Sequence, residues 1–483
     1  MRVWIFVVLM LPMFSAKAAT YCASTGNELN VALNDAGHNG QHDDIRVTVG
    51  THITDYHFPT GYQWIIRTTS EEDLDKSVTV SGGWSTGDNC ATQVSANPSD
   101  TILDARYWGP VFLFLPTNSV PGWVYTGTFA LRNMTLNRGK SNFNNQTTGL
   151  LILDTLGSPG SLVVDNVHAL NGQSAFEFAA AINMNVGGSG SMRLRNSIVS
   201  LNTFTGANSR PVFIGPYGSV VAYVSNNSIF DNSVTSHVAG LHVWNIATVS
   251  NNAIADNVSS TNPSYQFYSD IPTSLTLQKN HFGSKQFDNG APFSEVDTTT
   301  GNAFWAPLGV ERIPLDSSPL RDSGDNTPTG GALAIDFRGN PRIVNTTIDR
   351  GASEAPAPSN PAEGPLVTDD TPVKGSTTYL TAEPGQTAFG EIHFSVSAGQ
   401  AGGLTLIECQ VTSGTVLIGA YSSQWVATGG SAEPVLLGFD NVTETEQTGV
   451  VFCSFTRTGI AGFTWAAWTF KSRLETLFED GFE

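Results

Sequence analysis

Short runs in which apolar and polar residues alternate recur along the middle of the chain. Typical runs occupy residues 161–165, 191–195 and 219–224, and a glycine precedes each of them. Alternation over about four to six residues, with β-branched side chains and glycine punctuation, predicts short strands. No amphipathic helical window competes in this region, so leucine-rich, ankyrin and tetratricopeptide repeats do not fit.

An asparagine follows these runs and recurs along the chain. The repeated residues are Asn133, Asn166, Asn196, Asn227 and Asn252, with a weaker copy at Asn280. A period in the twenties to thirties predicts a solenoid, and three short strands per turn with an asparagine at one corner predict a parallel β-helix. We expect the asparagines to form one ladder, in which each side-chain amide hydrogen-bonds to the amide of the next coil.

The predicted solenoid extends from about Ile45 to Ile313 in roughly nine or ten coils. Its opening coils are the less regular runs at residues 45–50, 77–83 and 101–104. Residues 29–33 predict a short amphipathic helix that caps the open N-terminal end, because solenoids need caps against edge-to-edge growth.

The pattern changes after residue 354. Five prolines fall within residues 355–375, a composition typical of a semi-extended linker. Residues 376–471 contain about six alternating runs with another rhythm, which predict a small β-sandwich. The acidic and aromatic residues of the tail, 472–483, suggest a sorting or attachment element.

Residues 1–18 predict a cleaved signal peptide. Arg2 precedes a short apolar stretch, and Ala16-Lys17-Ala18 matches the small-x-small site of signal peptidase. The alternative, a membrane anchor, needs about 20 apolar residues. We therefore expect a secreted or cell-surface protein without a transmembrane anchor, whose residues 19–354 form the β-helix with its cap and closing segment.

The four cysteines fall as one pair towards each end of the chain. They are Cys22, Cys90, Cys409 and Cys453, and none belongs to a Cys-x-x-Cys motif. This spacing speaks against a zinc or redox site. In an oxidising compartment the simple pairing is Cys22 with Cys90 and Cys409 with Cys453, and four buried thiols are the alternative.

The chain is strongly acidic. Asp and Glu outnumber Lys and Arg by 42 to 23, and the formal net charge is -19. A field of this sign repels nucleic acid and anionic lipid head groups, so we expect neither as a partner.

Three segments after the repeats carry a family resemblance. Residues 315–325 read LDSSPLRDSGD, residues 336–342 read DFRGNPR, and residues 348–354 read IDRGASE. Their order resembles the closing segment of secreted bacterial right-handed parallel β-helix proteins of the choice-of-anchor type, and Gly82-Gly83-Trp84 followed by Cys90 resembles their opening. The match covers about residues 21–354 and departs from the family at Arg350 and Ser353. The resemblance implies a secreted or cell-surface solenoid, and the family has no single established activity.

Pectin-degrading enzymes share the β-helix scaffold, but their catalytic motifs are not found in the required setting. Asp43-Asp44 and Asp369-Asp370 lie outside the central coils, and residues 36–40 read AGHNG and not Gly-His-Gly. The spacing of Arg338 and Arg342 does not match the base motif of pectate lyases.

One constellation remains as a candidate substrate-binding site. The residues that precede the repeated asparagines, expected to face solvent in one row, are Arg132, Asp165, Arg195, Asn226, Asn251 and Lys279. Arg132, Asp165 and Arg195 would lie about 5 Å apart on successive coils, where they could place a sugar uronate or act in acid–base catalysis. The alternative is a structural ion-pair ladder. Asp231 and Asp256 also align, either as paired carboxylates or as turn formers.

Two further groups have a functional and a structural interpretation. His38, His42, Asp43 and Asp44 crowd one segment, but its Gly and Asn content favours a solvated loop, so we expect no metal and no cofactor. The aromatic residues that could stack on sugars, or complete a core, are Trp108, Trp123, Tyr265, Tyr268 and Trp305.

The leading hypothesis is a non-catalytic exported solenoid that binds a polysaccharide or a surface partner. The alternative is a polysaccharide lyase or glycoside hydrolase that acts on an extracellular glycan, with catalytic residues unassigned. A third hypothesis is a purely structural adhesin or envelope component.

Overall fold

In a computed structural model of the protein, the described residues are 18–53, 62–64, 75–114, 124–140, 148–155, 158–261, 264–287, 293–301, 303, 305–308, 311–314, 318–344, 346–355, 367–369, 377–396, 404–418, 423–427, 434–440, 442–443, 445–457 and 463–474. They fall into two compact units, Met1–Trp305 with Pro314–Ala355, and Ala306–Ile313 with Pro356–Glu483. Residues 1–17 of the predicted signal peptide, Trp123, most of the predicted linker and residues 475–483 of the tail lie outside the described residues.

The first unit is a parallel β-helix, as the alternating runs predicted. In Ser191–Arg195, for example, Met192 and Leu194 are buried while the residues between them are partly exposed. Strand side chains alternate between two faces, so the inward set of every coil joins one continuous apolar core.

The strands of successive coils pair in parallel and form three long stacks. The first stack contains Ala19–Ala23, Asp43–Thr48, Val78–Trp84, Thr128–Asn137, Ser161–Leu170, Ser191–Arg195, Val221–Ser225, Val238–Ser250, Tyr265–Gln278 and Phe293–Val296. The second stack contains Gly50–Ile53, Thr101–Asp104, the ends of Thr128–Asn137 and Ser161–Leu170, Ile198–Ser200, Ser228–Phe230, Ala253–Ile254, His281–Phe282 and Thr299–Thr300.

The third stack carries the candidate functional site on its outer face. It contains Tyr62–Trp64, Phe112–Phe114, Thr148–Asp154, Ala180–Val186, Val212–Pro216, the beginnings of Val238–Ser250 and Tyr265–Gln278, and Lys285–Phe287. A short fourth stack contains Gln173–Ser174, Thr203–Phe204, Ser233–Val234 and Val258–Ser259.

The stacked strands begin at Ala19 and end at Thr300, so the β-helix both starts and ends earlier than the predicted limits. Ile313 lies in Glu311–Pro314, which pairs with Trp305–Leu308 in a separate two-stranded sheet.

The predicted cap is a helix at Gly26–Ala36, whose buried side chains join the core of the first unit. A capping box of Thr25 and Glu28 starts this helix, and a 3-10 turn follows at Pro98–Asp100. Within the described ranges, no helix is both long enough and apolar enough to cross a membrane.

The repeated asparagines form two columns, so the prediction of one ladder was wrong. Asn166 donates to Asn133 at 3.1 Å, and Asn196 donates to Asn166 at 2.9 Å. The second column starts at Asn227, whose amide donates to Asn252 at 2.9 Å. Every amide of this second column also donates to a backbone oxygen, so it satisfies groups that the fold buries.

The change of column arises between Asn196 and Asn227. Arg195 pairs with Ser225, which places Asn226 beside Asn196 and moves Asn227 one position along the coil. Asn196 and Asn226 are the true corner residues, because both adopt left-handed φ values, 52° and 56°. Asparagine tolerates this backbone region better than most residues, which explains why it recurs at the corner.

Residues 318–355, named here the closing segment, pack along the asparagine corner of the β-helix. Arg342 Nη1 donates to Asn196 Oδ1 at 3.2 Å, and the side chain of Asn251 donates to the backbone oxygen of Asp325 at 2.8 Å. Arg350, which departs from the family pattern, donates to the backbone oxygen of Asn280 at 3.1 Å.

This coverage corrects the expectation of a solvent-facing row. Asp165, Asn226 and Asn251 are only 4%, 2% and 0% exposed, because the closing segment and Arg195 cover them. Asn226 and Asn251 also lie in the column of Asn196, one position beyond that of Arg195.

The second unit is a small β-sandwich with one apolar core shared by its sheets. The five-stranded sheet has the spatial order Thr377–Ala382, Phe463–Leu474, Thr448–Arg457, Leu404–Gly414 and Ser423–Ala427. The three-stranded sheet contains Ala388–Ile392, Val435–Phe439 and Leu417–Ile418, and a two-stranded sheet contains Val367–Asp369 and Phe394–Val396.

Both predicted disulfides are confirmed, one in each unit. Cys22 is bonded to Cys90, and Cys409 is bonded to Cys453. The first bond closes a sequence separation of 68 residues, which stabilises the fold by roughly 4 kcal/mol in the chain-entropy account. The second joins residues that face each other directly on antiparallel strands.

Candidate functional site

The predicted row of Arg132, Asp165 and Arg195 forms an ion-pair ladder on three neighbouring strands of the first stack. Arg195 grips Asp165 with two hydrogen bonds, Nε to Oδ1 at 2.7 Å and Nη2 to Oδ2 at 2.8 Å. Its third nitrogen, Nη1, donates to the backbone oxygen of Gly330 in the closing segment at 3.1 Å. Arg132 lies on the other side, 3.6 Å from Asp165 Oδ2, and its side chain is 44% exposed.

This geometry favours the structural alternative for the row. Both oxygens of Asp165 accept from Arg195, and the carboxylate is buried, so it offers no open oxygen to a sugar or a proton. The bidentate pair instead ties the closing segment to the coils, since a buried carboxylate is stable only when it is paired.

The other candidate residues from the sequence lie apart from one another or are already engaged in structural contacts. His38 contacts the backbone oxygen of Asn34, His42 accepts from the amide of Ser77, and Asp43 is buried in a strand. Across the described ranges, no group of three or more His, Cys, Asp or Glu side chains could hold a metal ion.

The aligned acids and the predicted aromatic residues also have structural surroundings. Asp231 and Asp256 occupy left-handed corners, with φ values of 53° and 59°. Trp305 donates to Asp256 at 2.5 Å and is only 5% exposed, so it completes a core. Trp108 is 37% exposed and remains at the surface.

A different set of side chains converges on the outer face of the third stack. We name it the aromatic–ionic cluster, and its members are Arg210, Phe213, Tyr217, His237, His242, Trp244, Tyr268 and Asp270. Phe213, His242 and Tyr268 are register partners on three successive coils. Their chain neighbours, such as Ile214 and Val243, belong to the inner core, so the cluster residues point outward.

The rings of the cluster contact one another from coil to coil. The centroids of Phe213 and His242 are 5.2 Å apart, and those of His242 and Tyr268 are 5.1 Å apart, both edge to face. Trp244 contacts Tyr217 at 5.1 Å, and Tyr217 is 41% exposed. These contacts form a continuous aromatic layer fixed by the strands beneath it. Within this layer, Phe213, His242 and Tyr268 are only 7%, 6% and 8% exposed, and Tyr217 forms the open edge.

Arg210 lies across this layer. Its guanidinium carbon is 4.1 Å from the centroid of the Phe213 ring, and Nη1 donates to the backbone oxygen of Asn208 at 3.1 Å. Nε is buried without a hydrogen-bond partner among the described residues. Burial lowers the pKa of Arg210 to about 10, and the nearby charge of Asp270 opposes that shift.

His242 forms the second ionic element of the cluster. Its Nε2 lies 2.8 Å from Asp270 Oδ2, while Nδ1 is buried and finds no partner in the described part of the chain. Burial lowers the pKa of His242 and outweighs the hydrogen bond to Asp270, so the ring is neutral near pH 7. A neutral ring that faces a carboxylate carries its proton on Nε2, which leaves Nδ1 as an acceptor.

The sequence identified only part of this cluster. Tyr268 was a candidate for sugar stacking, but Arg210, His242 and Asp270 were missed because coil lengths vary on this side of the β-helix. A usable signal was present in Val212–Pro216, where Phe213 occupies the outward position that Asn183 holds on the preceding coil.

No family model matches the chain, and no curated protein matches it. Solved structures give weak likenesses. The ASH/PapD-like domain of human CEP192 has 10% identity and a TM-score of 0.20, covering 26% of this chain and 96% of that chain.

Two further likenesses are of the same kind. WR4, a C. elegans MSP family member, has 7% identity and a TM-score of 0.17, covering 23% of this chain and 99% of its own. The N-terminal domain of PorA has 22% identity and a TM-score of 0.16, covering 21% of this chain and 89% of its own. At these scores the likenesses carry no argument about fold or function.

Proposed function

We propose that this protein is an exported β-solenoid, secreted or held at the cell surface, that binds an extracellular polysaccharide without cleaving it. The aromatic–ionic cluster is the observation that carries the proposal. Aromatic rings beside a few convergent polar groups on a rigid frame are the chemistry by which proteins hold sugar rings.

Export is part of the same proposal. The disulfides Cys22–Cys90 and Cys409–Cys453 persist in oxidising compartments outside the cytoplasm. The predicted signal peptide and the resemblance to choice-of-anchor β-helix proteins support the same location, and we place the chain with that group as a proposal.

The test is binding to a panel of neutral and acidic polysaccharides, followed by gel retardation and by calorimetry with oligosaccharides. We expect Trp244→Ala to weaken binding about tenfold, the loss of one aromatic stacking contact. Trp108→Ala removes an exposed tryptophan outside the cluster and should change binding less than twofold. A protein that binds none of the panel, or equal losses in the two variants, would refute the proposal.

Cleavage of the bound glycan is a second candidate function, favoured by one observation. His242 is oriented by Asp270 through Nε2, and Nδ1 is a buried acceptor without a partner among the described residues, which would serve as a general base for a substrate that displaces its cover. This candidate predicts unsaturated products or new reducing ends with the wild-type protein and their loss in His242→Gln, with binding retained. The binding proposal predicts neither product at any time.

A further inference from the structure

We infer that the aromatic–ionic cluster selects acidic sugars, and that Arg210 binds the carboxylate of a uronic acid residue. This inference rests on the proposed glycan-binding function and names its ligand class. Its basis is a largely buried guanidinium that lacks a carboxylate.

The absence of a carboxylate partner for Arg210 among the described residues is unexpected in so acidic a chain. Acidic residues outnumber basic ones by 42 to 23, and several other arginines of the β-helix contact a carboxylate, as Arg138 does with Asp104 and Arg195 with Asp165. Among the described residues, Arg210 has no carboxylate within 4.0 Å, and Asp270 reaches it only at longer range while contacting His242. A buried charge without a counterion is costly, so the site gains when an anion arrives.

Arg195 shows, within the same molecule, how a backbone oxygen and a carboxylate together satisfy the donors of a guanidinium group. Its Nη1 donates to a backbone oxygen, and its Nε and Nη2 together hold the two oxygens of Asp165. Arg210 shares the backbone contact of this arrangement, since its Nη1 donates to the backbone oxygen of Asn208. Its Nε has no partner in the described part of the chain. A carboxylate would complete the guanidinium from the Nη2 side, because Nε itself is closed to solvent.

The neighbouring rings place a sugar next to that side of the guanidinium. Phe213 holds the guanidinium plane at 4.1 Å, and the Trp244 ring centroid is 6.4 Å from that of Phe213. A pyranose stacked on Trp244 and Tyr217 therefore lies beside Arg210, within reach of a carboxylate on its own ring. Neutral sugars can use the same rings, but they leave Arg210 unpaired.

The experiment compares charged and neutral forms of one oligosaccharide by isothermal titration calorimetry. The ligands are an oligogalacturonate, its methyl ester, and, as an anion without a carboxylate, a sulfated oligoglucan. The proteins are the wild type, Arg210→Gln, Arg210→Lys and Arg132→Gln, each checked for folding by thermal melting. Arg132→Gln is the matched control, because it removes an arginine from the ion-pair ladder on another face.

We expect the wild type to prefer the acid over the ester, and Arg210→Gln to lose about tenfold or more in affinity for the acid but less than twofold for the ester. Arg210→Lys should restore part of the preference, since it keeps the charge and loses the fork. Arg132→Gln should bind like the wild type.

Three results would overturn the inference. The first is equal wild-type affinity for acid and ester, with binding that still depends on Trp244; the glycan-binding function then stands and the acidic selectivity falls. The second is a sulfated glucan that binds as tightly as the uronate and is equally lost in Arg210→Gln, which contradicts carboxylate recognition. The third is the absence of any glycan binding, in which case both proposals fail together.

Discussion

Two outer faces of the β-helix treat their arginines in opposite ways. Under the closing segment, Arg195 and Arg342 are both surrounded by acceptors, and Arg342 donates to Ala352 and Asn196 while lying 3.3 Å from Glu354. Beside the third stack, Arg210 has one side-chain hydrogen bond within the described ranges and lies against two aromatic rings, Phe213 and Phe178. The first face uses guanidinium groups to hold the chain to itself, and the second carries the guanidinium group that we propose to bind a ligand.

The difference shows that burial of a charged residue does not reveal its role. Asp165 looked functional in the sequence because it stands between two arginines, and the structure satisfies it fully. Arg210 lay in an unremarked turn, and the structure leaves it incomplete. Among the described residues, a carboxylate partner, and not burial, separates Arg195 and Arg342 from Arg210.

The largest expected effect is on the closing segment. At pH 9, where both carboxyl groups are ionised, Arg342→Met leaves Glu354 and Asp349 without their buried cation, which should destabilise the segment by roughly 3 kcal/mol or more. Amide hydrogen exchange in residues 318–344 and 346–355 should accelerate on the order of 100-fold. Arg210→Gln serves as the control on the other face and should change local exchange less than fivefold. Similar effects on amide exchange in the two variants would show that the two faces do not differ in how they use their arginines.

The same segment should respond to pH. Burial raises the pKa of Glu354 to about 8 and that of Asp349 to about 6. A carboxyl group whose folded-state pKa is raised contributes stability that is complete below its ordinary value and is lost as the pH rises through the folded-state value. Exchange in residues 346–355, corrected for intrinsic rates, should therefore accelerate as the pH rises from about 6 to about 9.

Glu354→Gln provides the matched control for this pH dependence, because glutamine mimics the neutral acid. The variant should lose most of the pH response. A wild-type segment that grows more protected between these pH values would show that Arg342 keeps Glu354 ionised.

Asp165→Asn tests the ion-pair ladder with a smaller expected effect. The change removes the charge that Arg195 grips and should cost about 2 kcal/mol, since Arg195 keeps its bond to Gly330. Urea unfolding monitored by exchange in residues 191–195 measures the loss, with Arg132→Gln as the exposed control. Glycan affinity should stay within twofold. A folded Asp165→Asn variant that fails to bind the glycan would show that Asp165 belongs to the binding site.

The parts of the fold that depend on contacts between neighbouring coils could be predicted from local sequence pattern, and other parts could not. Alternating runs, glycine punctuation and repeated asparagines report on neighbouring coils, so the parallel β-helix was readable from local pattern. The shift of column after Asn196 was not, because the coil keeps its length while the repeated asparagine moves one position, so that Asn227 lies beside Ser197 and Asn226 takes the corner.

The candidate site was harder to predict for the same reason. Arg342 contacts Asn196 across a sequence separation of 146 residues, and no local pattern announces that coverage. Arg210 reaches Phe213 from a turn, and the pairing of His242 with Asp270 depends on coil lengths that differ from turn to turn. Cysteine pairing was predictable because only two pairs, well separated in the chain, had to be matched.

The smallest expected effect sharpens the description of the binding face. Tyr217→Phe keeps the ring that contacts Trp244 at 5.1 Å and removes only the hydroxyl group. We expect less than a twofold change in oligosaccharide affinity by calorimetry, against roughly fivefold for Tyr217→Ala. A loss for Tyr217→Phe as large as that for Tyr217→Ala would assign recognition to the hydroxyl group and not to the aromatic surface.

The most direct test of the central claim is a hydrogen-exchange footprint of the full chain with a saturating acidic oligosaccharide. The account predicts protection in residues 208–217, 237–244 and 265–270, which carry the aromatic–ionic cluster, with residues 318–344 and 346–355 unchanged. Protection confined to the closing segment or to the strands of the β-sandwich, with the cluster unchanged, would contradict it.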